Sequence, residues 1–445
     1  MANSRQFRSL TLGLSVSAAT ALSVAIAFVL AVAASPAAQA QTFHVIHTFT
    51  GKTDGGKPFA GVTIDKSGNL YGTTYAYGAK GWGVVYRIKP GGTFNTLYTF
   101  TGGTDGAFPA ARVIFGPNGT LYGTTQGKGY GTATGSHGTV FNLKPPTTCG
   151  TSFCPWKITT LYAFKGEPDC NGATNSFSDL VFDNAGNIYG TTYNGGAHNN
   201  GQALNEGCVF KLTPTSTGGY TEKVIYSFGG TKAGEGRHPF AGVIVDKAGN
   251  LYGTTSEGGR TNSTACAPTC GTVYELVPSS GGYTEKQLYL FSGVGDGSAP
   301  FGGVIFDSSG NLYGSTENGG NHGAGTAFKL TPGANGTWSY TPLYAFVGGR
   351  FCGPYGSLAL DGAGNLNGTT FCSGGSAGNI FKLTPTGTYT SLHSFSGGSD
   401  GGNPMGNVTF DASGNMYGTD SGGANGTCYN SGTISGCGVV WKITP

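Results

Sequence analysis

Four aspartates, each followed by glycine, have the chemistry to recognise or act on a ligand: Asp54, Asp105, Asp296 and Asp400. Other polar, glycine-rich segments carry Tyr77, Trp82, Tyr130, Tyr193, His198, His322 and Phe371. Aromatic faces beside carboxylates and amides suit sugars, which offer apolar C–H faces and many hydroxyls. On this reading the ligand-binding candidates are Asp54, Trp82, Asp105, Tyr130, Tyr193, His198, Asp296, His322 and Asp400. Each also has a plain structural reading, because Asp-Gly makes turns and aromatic rings cover packing surfaces. The enzymatic alternative is a lyase or glycoside-active protein using Asp54, Asp296, His198 and His322. General acid–base chemistry would require those groups to converge within hydrogen-bond reach of one substrate.

Other catalytic signals are scarce. Gly374-Gly375-Ser376-Ala377-Gly378 and Gly397-Gly398-Ser399-Asp400-Gly401 spell a nucleophile elbow, but that elbow needs a strand turning into a helix. Of the seven histidines only His44 and His47 stand close, and their spacing puts them on opposite faces of a strand. Asp65, Asp183, Asp246, Asp307, Asp361 and Asp411 recur in one sequence context, which Gly116 occupies in the second unit. Calcium wants about six to eight oxygens, more than one aspartate per turn supplies, so these read as turn formers. No dinucleotide or phosphate loop is present. With 24 Lys+Arg against 21 Asp+Glu and no basic run, nucleic acid is set aside. No catalytic residue, metal or cofactor is assigned.

The elements that position these residues follow from composition and repetition. Gly fills 83 of 445 positions, and each interior glycine costs a helix about 1 kcal/mol relative to alanine, which disfavours all-α and ordinary α/β folds. Aromatic residues, 12% of the chain, are enough to build a core. A block close to Gly-Asn-Leu-Tyr-Gly-Thr-Thr begins at Gly68, Gly119, Gly186, Gly249, Gly310, Gly364 and Gly414. A second, Gly-x-Val-Phe-x-Leu-x-Pro in its commonest form, begins at Gly83, Gly138, Gly207, Gly271, Gly325, Gly378 and Gly438. A third, close to Leu-Tyr-x-Phe, ends at Phe49, Phe100, Phe164, Phe228, Phe291, Phe346 and Phe395. Dense β-branched and aromatic residues between Asp, Gly and Asn turns mark each block as a strand. About four short antiparallel strands per unit, seven times over, predict an all-β, seven-bladed β-propeller spanning residues 41–445 as one domain. The Phe43–Phe49 strand is surplus at the start and a strand is missing after Val439–Ile443. The N-terminal strand is therefore expected to complete the last blade and close the ring.

With strands counted outward, the Asp-x-x-Gly-Asn turns fall on one rim. The long, variable loops after Gly-Thr-Thr and Leu-Tyr-x-Phe fall on the other, where binding is expected. All ten cysteines follow residue 148. The repeat frame suggests Cys170–Cys208 and Cys352–Cys372 as clamps between loops, with Cys149–Cys154, Cys266–Cys270 and Cys428–Cys437 closing single loops. A metal site at Cys266 and Cys270 lacks a matching pair nearby.

The tandem blocks resemble the GloVer tandem-repeat family of secreted bacterial proteins, over nearly all of residues 43–445. The resemblance implies secretion and brings no catalytic residues. Members often end in a sorting or anchoring segment, which is not apparent after Val439–Thr444. The Asp-x-x-Gly-Asn-Leu-Tyr turn also resembles turns in lactonase-like and streptogramin-lyase-like propellers.

Residues 1–40 read as an export signal: Arg5 and Arg8, an apolar stretch from Leu10 to Ala34, and the small-x-small site Ala38-Gln39-Ala40. Cleavage after Ala40 into a secreted or periplasmic location, with no membrane insertion afterwards, is expected. The functional expectation is a monomeric binding protein recognising an extracellular polysaccharide, envelope component or protein through one loop-rich face. A propeller lyase or glycoside-active enzyme is the first alternative and a structural envelope protein the second.

Overall fold

The computed structural model describes residues 41–127, 137–147, 156–166, 170, 178–196, 205–229, 234–260, 270–280, 282–372, 376–424, 428 and 435–445. Residues 42–444 form one compact unit, built from seven four-stranded antiparallel sheets. The first blade pairs, in order, Thr63–Ile64, Leu70–Thr74, Val84–Ile88 and Phe94–Thr99. In the seventh, Thr409–Phe410, Met416–Asp420 and Val439–Thr444 come from the end of the chain and Thr42–Thr48 from its start. The register runs from Thr42 opposite Thr444 to Thr48 opposite Val439, so the expected ring closure is present and the molecule is a seven-bladed β-propeller.

The repeat motif has a physical account residue by residue. In Leu-Tyr-Gly-Thr-Thr, the glycine lies opposite the aromatic residue of the next strand, as Gly72 opposite Tyr86 and Gly253 opposite Tyr274. A Cβ there would stand 2.3 Å from the Tyr86 hydroxyl or 2.4 Å from that of Tyr274. Only glycine leaves room for the ring to lie flat against the backbone. These rings are buried and form the cores between blades. The first threonine reaches the neighbouring blade: Thr73, Thr191, Thr254 and Thr419 donate to the carbonyls of Ala111, Ala241, Gly302 and Ala60 at 2.7–3.0 Å. The second stays in its own blade, where the hydroxyls of Thr74, Thr125 and Thr316 accept from the amides of Val84, Thr139 and Thr326.

The recurring aspartates are turn formers. Asp65 accepts from the amides of Ser67 and Asn69, the Asn69 side chain and the Tyr71 hydroxyl, at 2.7–3.1 Å. Burial works against its ionised form, but these hydrogen bonds outweigh burial and hold the carboxyl below its ordinary value, as they do for Asp183, Asp307 and Asp411.

The disulfides Cys170–Cys208, Cys352–Cys372 and Cys428–Cys437 are present as expected. Cys270 is buried and disulfide-bonded. Cys149, Cys154 and Cys266 lie outside the described residues. Among the described residues no helix is long and apolar enough to cross a membrane.

Candidate functional site

The short innermost strands and the residues leading into them converge on a central channel, a cavity of about 400 Å³ touched by all seven blades. The Asp-x-x-Gly-Asn turns follow these strands in the chain, so residues that precede the strands stand at the opposite, loop-rich end. There Phe59, Tyr75, Tyr193, Phe240, Phe301 and Tyr355, with Gln126 and Met405, line an open mouth of about 450 Å³. The rings are half-buried or nearly buried and brace one another. Phe59 meets Tyr75 at 4.9 Å, Phe240 meets Phe301 at 4.6 Å, and Phe301 stacks on Tyr355 at 5.1 Å with their planes 2° apart.

Two repeat positions supply these rings. One is the residue after the Pro that opens six of the seven inner segments: Phe59, Ala110, Phe240, Phe301, Tyr355 and Met405. The other follows Gly-Thr-Thr: Tyr75, Gln126, Tyr193, Ser256, Glu317, Phe371 and Ser421. Adjacent blades are stitched here by a residue in left-handed backbone, such as Lys57, Phe108, His238, Ala299 and Asn403. The amide of His238 donates to Glu206 and its carbonyl accepts from Ser256, at 2.7 and 3.0 Å. Five non-glycine residues in that conformation mark a constraint imposed by the ring.

Two residues inward from the aromatic ring, a further repeat position reads Gly61, Arg112, Asp179, Gly242, Gly303, Ser357 and Asn407. Its four polar side chains satisfy inner-edge backbone and one another. Ser357 accepts the Gly303 amide at 2.8 Å, Asn407 the Ser357 amide at 2.7 Å, and Asp179 the Arg112 amide at 3.0 Å. The Arg112 guanidinium grips Asp179 through Nε and Nη2, at 3.1 and 2.9 Å, and Asn407 donates to the same carboxylate oxygen at 3.0 Å. Thus blade 2 (Ile114–Phe115 to Lys157–Ala163), blade 3 (Val181–Phe182 to Tyr220–Ser227) and blade 7 meet in one polar bridge.

Glu317 is buried against this mouth. Its Oε2 accepts from Asn318 at 2.7 Å, Oε1 has no close hydrogen-bond partner among the described residues, and the carboxyl interacts with Tyr355. Burial raises its pKa to about 7, against the lowering influence of Tyr355, Asn318 and Arg350. At another seam, His238 Nε2 lies 3.2 Å from Glu206 and its ring stacks on Tyr193 at 4.4 Å.

Of the residues singled out in the sequence, Tyr193 lines the mouth. The Asp-Gly aspartates staple their own loops: Asp54 accepts from Thr50, Asp105 from Tyr98 and Thr101, Asp296 from Tyr289 and Ser292, and Asp400 from Ser396 and His393. Trp82 packs against Phe108 at 5.1 Å, and His322 is exposed. Tyr130 and His198 lie outside the described residues. Arg112, Asp179, Asn407 and Glu317 were not among the sequence candidates. Their signal was present as departures from Gly or from small and aromatic residues at fixed repeat positions.

The Gloeobacter/Verrucomicrobia repeat model matches residues 35–266 and 200–435. The chain belongs to the Gloeobacter/Verrucomicrobia repeat family. No curated protein matches it in sequence. Among solved structures, this family member is similar to a gluconolactonase from Xanthomonas campestris, with 12% identity, TM-score 0.39, and 91% of this chain and 89% of that chain covered. It is also similar to an ulvan lyase, a polysaccharide lyase solved with bound saccharide, with 12% identity, TM-score 0.45, and 80% of this chain and 86% of that chain covered.

Proposed function

We propose that this repeat protein is exported and binds an extracellular carbohydrate in the aromatic mouth of its central channel. The observation that supports this most is the ring formed by Phe59, Tyr75, Tyr193, Phe240, Phe301 and Tyr355, with polar Arg112, Asp179 and Asn407 further in. Apolar platforms above a few polar groups match the two surfaces of a sugar ring, and both cavities fall in the ~300–1,000 Å³ range of small-molecule sites. Export is supported by the signal-like residues 1–40 and by the disulfides.

The test is a screen of residues 41–445 against arrayed bacterial and plant polysaccharides. Saturable binding that survives moderate salt and weakens in Tyr75→Ala and Phe301→Ala is expected; absence of binding at high protein concentration contradicts the proposal. A second, enzymatic reading draws on His238 held by Glu206 beneath Tyr193, an acid–base pair beside the same mouth. Release of new chain ends from a bound polysaccharide, lost in His238→Ala, would support it.

A further inference from the structure

The polar bridge lies across the channel. Blades 3 and 7 are not neighbours in the ring, yet the carboxylate of Asp179 and the amide of Asn407 are hydrogen-bonded at 3.0 Å. Arg112, from blade 2, grips the same carboxylate and extends Nη1 to the Thr409 hydroxyl of blade 7 at 3.4 Å. Arg112 and Asp179 stand two residues inward from the aromatic ring, a depth of about 7 Å at ~3.3 Å per residue. The arginine and aspartate side chains are 27% and 21% exposed, so a molecule in the channel reaches them. The walls between the ring and the bridge are small: Ala60, Ala241, Gly302, Gly356 and Gly406. The result is a channel that is broad and aromatic at its mouth and crossed part-way along by paired charges, with Val181, Ile244, Ile305 and Ala359 lining it beyond them.

We infer that the protein recognises the end of a glycan chain: a terminal sugar enters the channel and its hydroxyls meet Arg112, Asp179 and Asn407, while following sugars lie on the aromatic ring. The hydrogen-bonded side chains of Asp179 and Asn407 cross the channel at this depth and narrow it against a threading chain. The bridge is matched to neutral, hydroxyl-rich sugars, because the guanidinium is already neutralised by Asp179 and offers hydrogen bonds in place of a net charge. Asp179 offers acceptor capacity, and Arg112 and Asn407 offer donors, the mixture that a vicinal diol requires. This inference rests on the carbohydrate reading and specifies which part of the chain is bound.

The deciding experiment measures binding of residues 41–445 to length series of linear oligosaccharides from cellulose, xylan, mannan and chitin, with cyclodextrins and cyclic β-glucans as sugars without ends. Affinity is expected to level off within a few sugar units, with one protein bound per chain however long the chain, and the closed rings are expected not to bind. Arg112→Lys and Asn407→Ala are expected to weaken binding of the shortest ligands about tenfold. Binding of several proteins along one long chain, or of closed rings as tightly as linear chains, overturns the end-on mode and leaves carbohydrate binding standing. No binding to any saccharide overturns both. The length series uses the unaltered protein, so its outcome does not depend on how well the variants fold.

Discussion

The carboxylate of Asp179 accepts a 3.0 Å hydrogen bond from Asn407 across the central channel, joining blade 3 to blade 7. The same oxygen is 2.9 Å from the guanidinium of Arg112 on blade 2. Three chain segments far apart in sequence are thereby tied at the channel, where each inner strand has only two residues in its ladder.

Removing Asp179 should therefore cost more than its exposure suggests. Asp179→Ala leaves the Arg112 guanidinium, the Arg112 amide and the Asn407 side chain without their acceptor, for a loss of roughly 1–3 kcal/mol. Asp179→Asn keeps an acceptor and should lose less. Chemical denaturation of the two variants beside the parent measures the order; equal stability of Asp179→Ala and the parent would exclude a stabilising role for the bridge.

Ring closure makes the Thr42–Thr48 strand essential, although it stands at one end of the domain. It covers the edge of Val439–Thr444 and precedes the buried Phe49. Deleting residues 41–50 should lower the melting temperature sharply and promote aggregation through the bared strand. A melting temperature unchanged by the deletion would show that the seventh blade does not need it.

Glycines in the repeat divide into required and free positions. Gly253→Ala would put a methyl 2.4 Å from the Tyr274 hydroxyl, whereas a Cβ at Gly91 meets nothing within 4 Å. The first substitution should destabilise by about 1–3 kcal/mol, and the second should be neutral within ~0.5 kcal/mol. Thermal melts of the pair decide it, and equal effects would contradict the packing described.

Stability should fall as pH rises from about 4.5 to 7 because of Glu317. Its folded pKa, about 7, stands above the ordinary value of 4.5, chiefly through burial. The folded state thus holds a proton that the unfolded state has released, and the advantage of the protonated form is lost as pH climbs through the folded value. Buried Asp420, raised by burial against its hydrogen bond from Trp441, works in the same direction. The turn aspartates, held below 3.8, oppose it only in stronger acid, whereas His47, lowered from 6.5 chiefly by burial against the raising influence of Asp54, opposes it within this window. Glu317→Gln should flatten the slope between pH 4.5 and 7; parallel melting curves for parent and variant would show that Glu317 does not titrate in this window.

The fold was legible because its signal is repeated. Gly72 under Tyr86 and Asp65 in its turn recur in most blades, so the blocks align and set strand number and closure. The candidate site was less legible because it lies where the repeat is broken. Arg112, Asp179 and Asn407 occupy one column otherwise held by Gly or Ser, and their convergence depends on which strand is innermost, which the blocks alone leave open. The Asp-Gly loops have a role in the fold that their sequence does not announce. Asp105 and Asp296 look available in sequence, yet a serine or threonine four residues earlier and a tyrosine seven residues earlier occupy their oxygens.

The most direct measurement is calorimetric titration of a saccharide found in the screen into the parent, Tyr75→Ala, Phe301→Ala and His322→Ala. Recognition at the channel mouth predicts that the two mouth variants lose about tenfold in affinity, given ~0.5–1.5 kcal/mol for a stacked ring beyond the area it buries, while His322→Ala on the exposed outer loop binds as the parent does. Full affinity in the mouth variants, with loss in His322→Ala, would place recognition on the outer loops and contradict the channel mouth as the binding site.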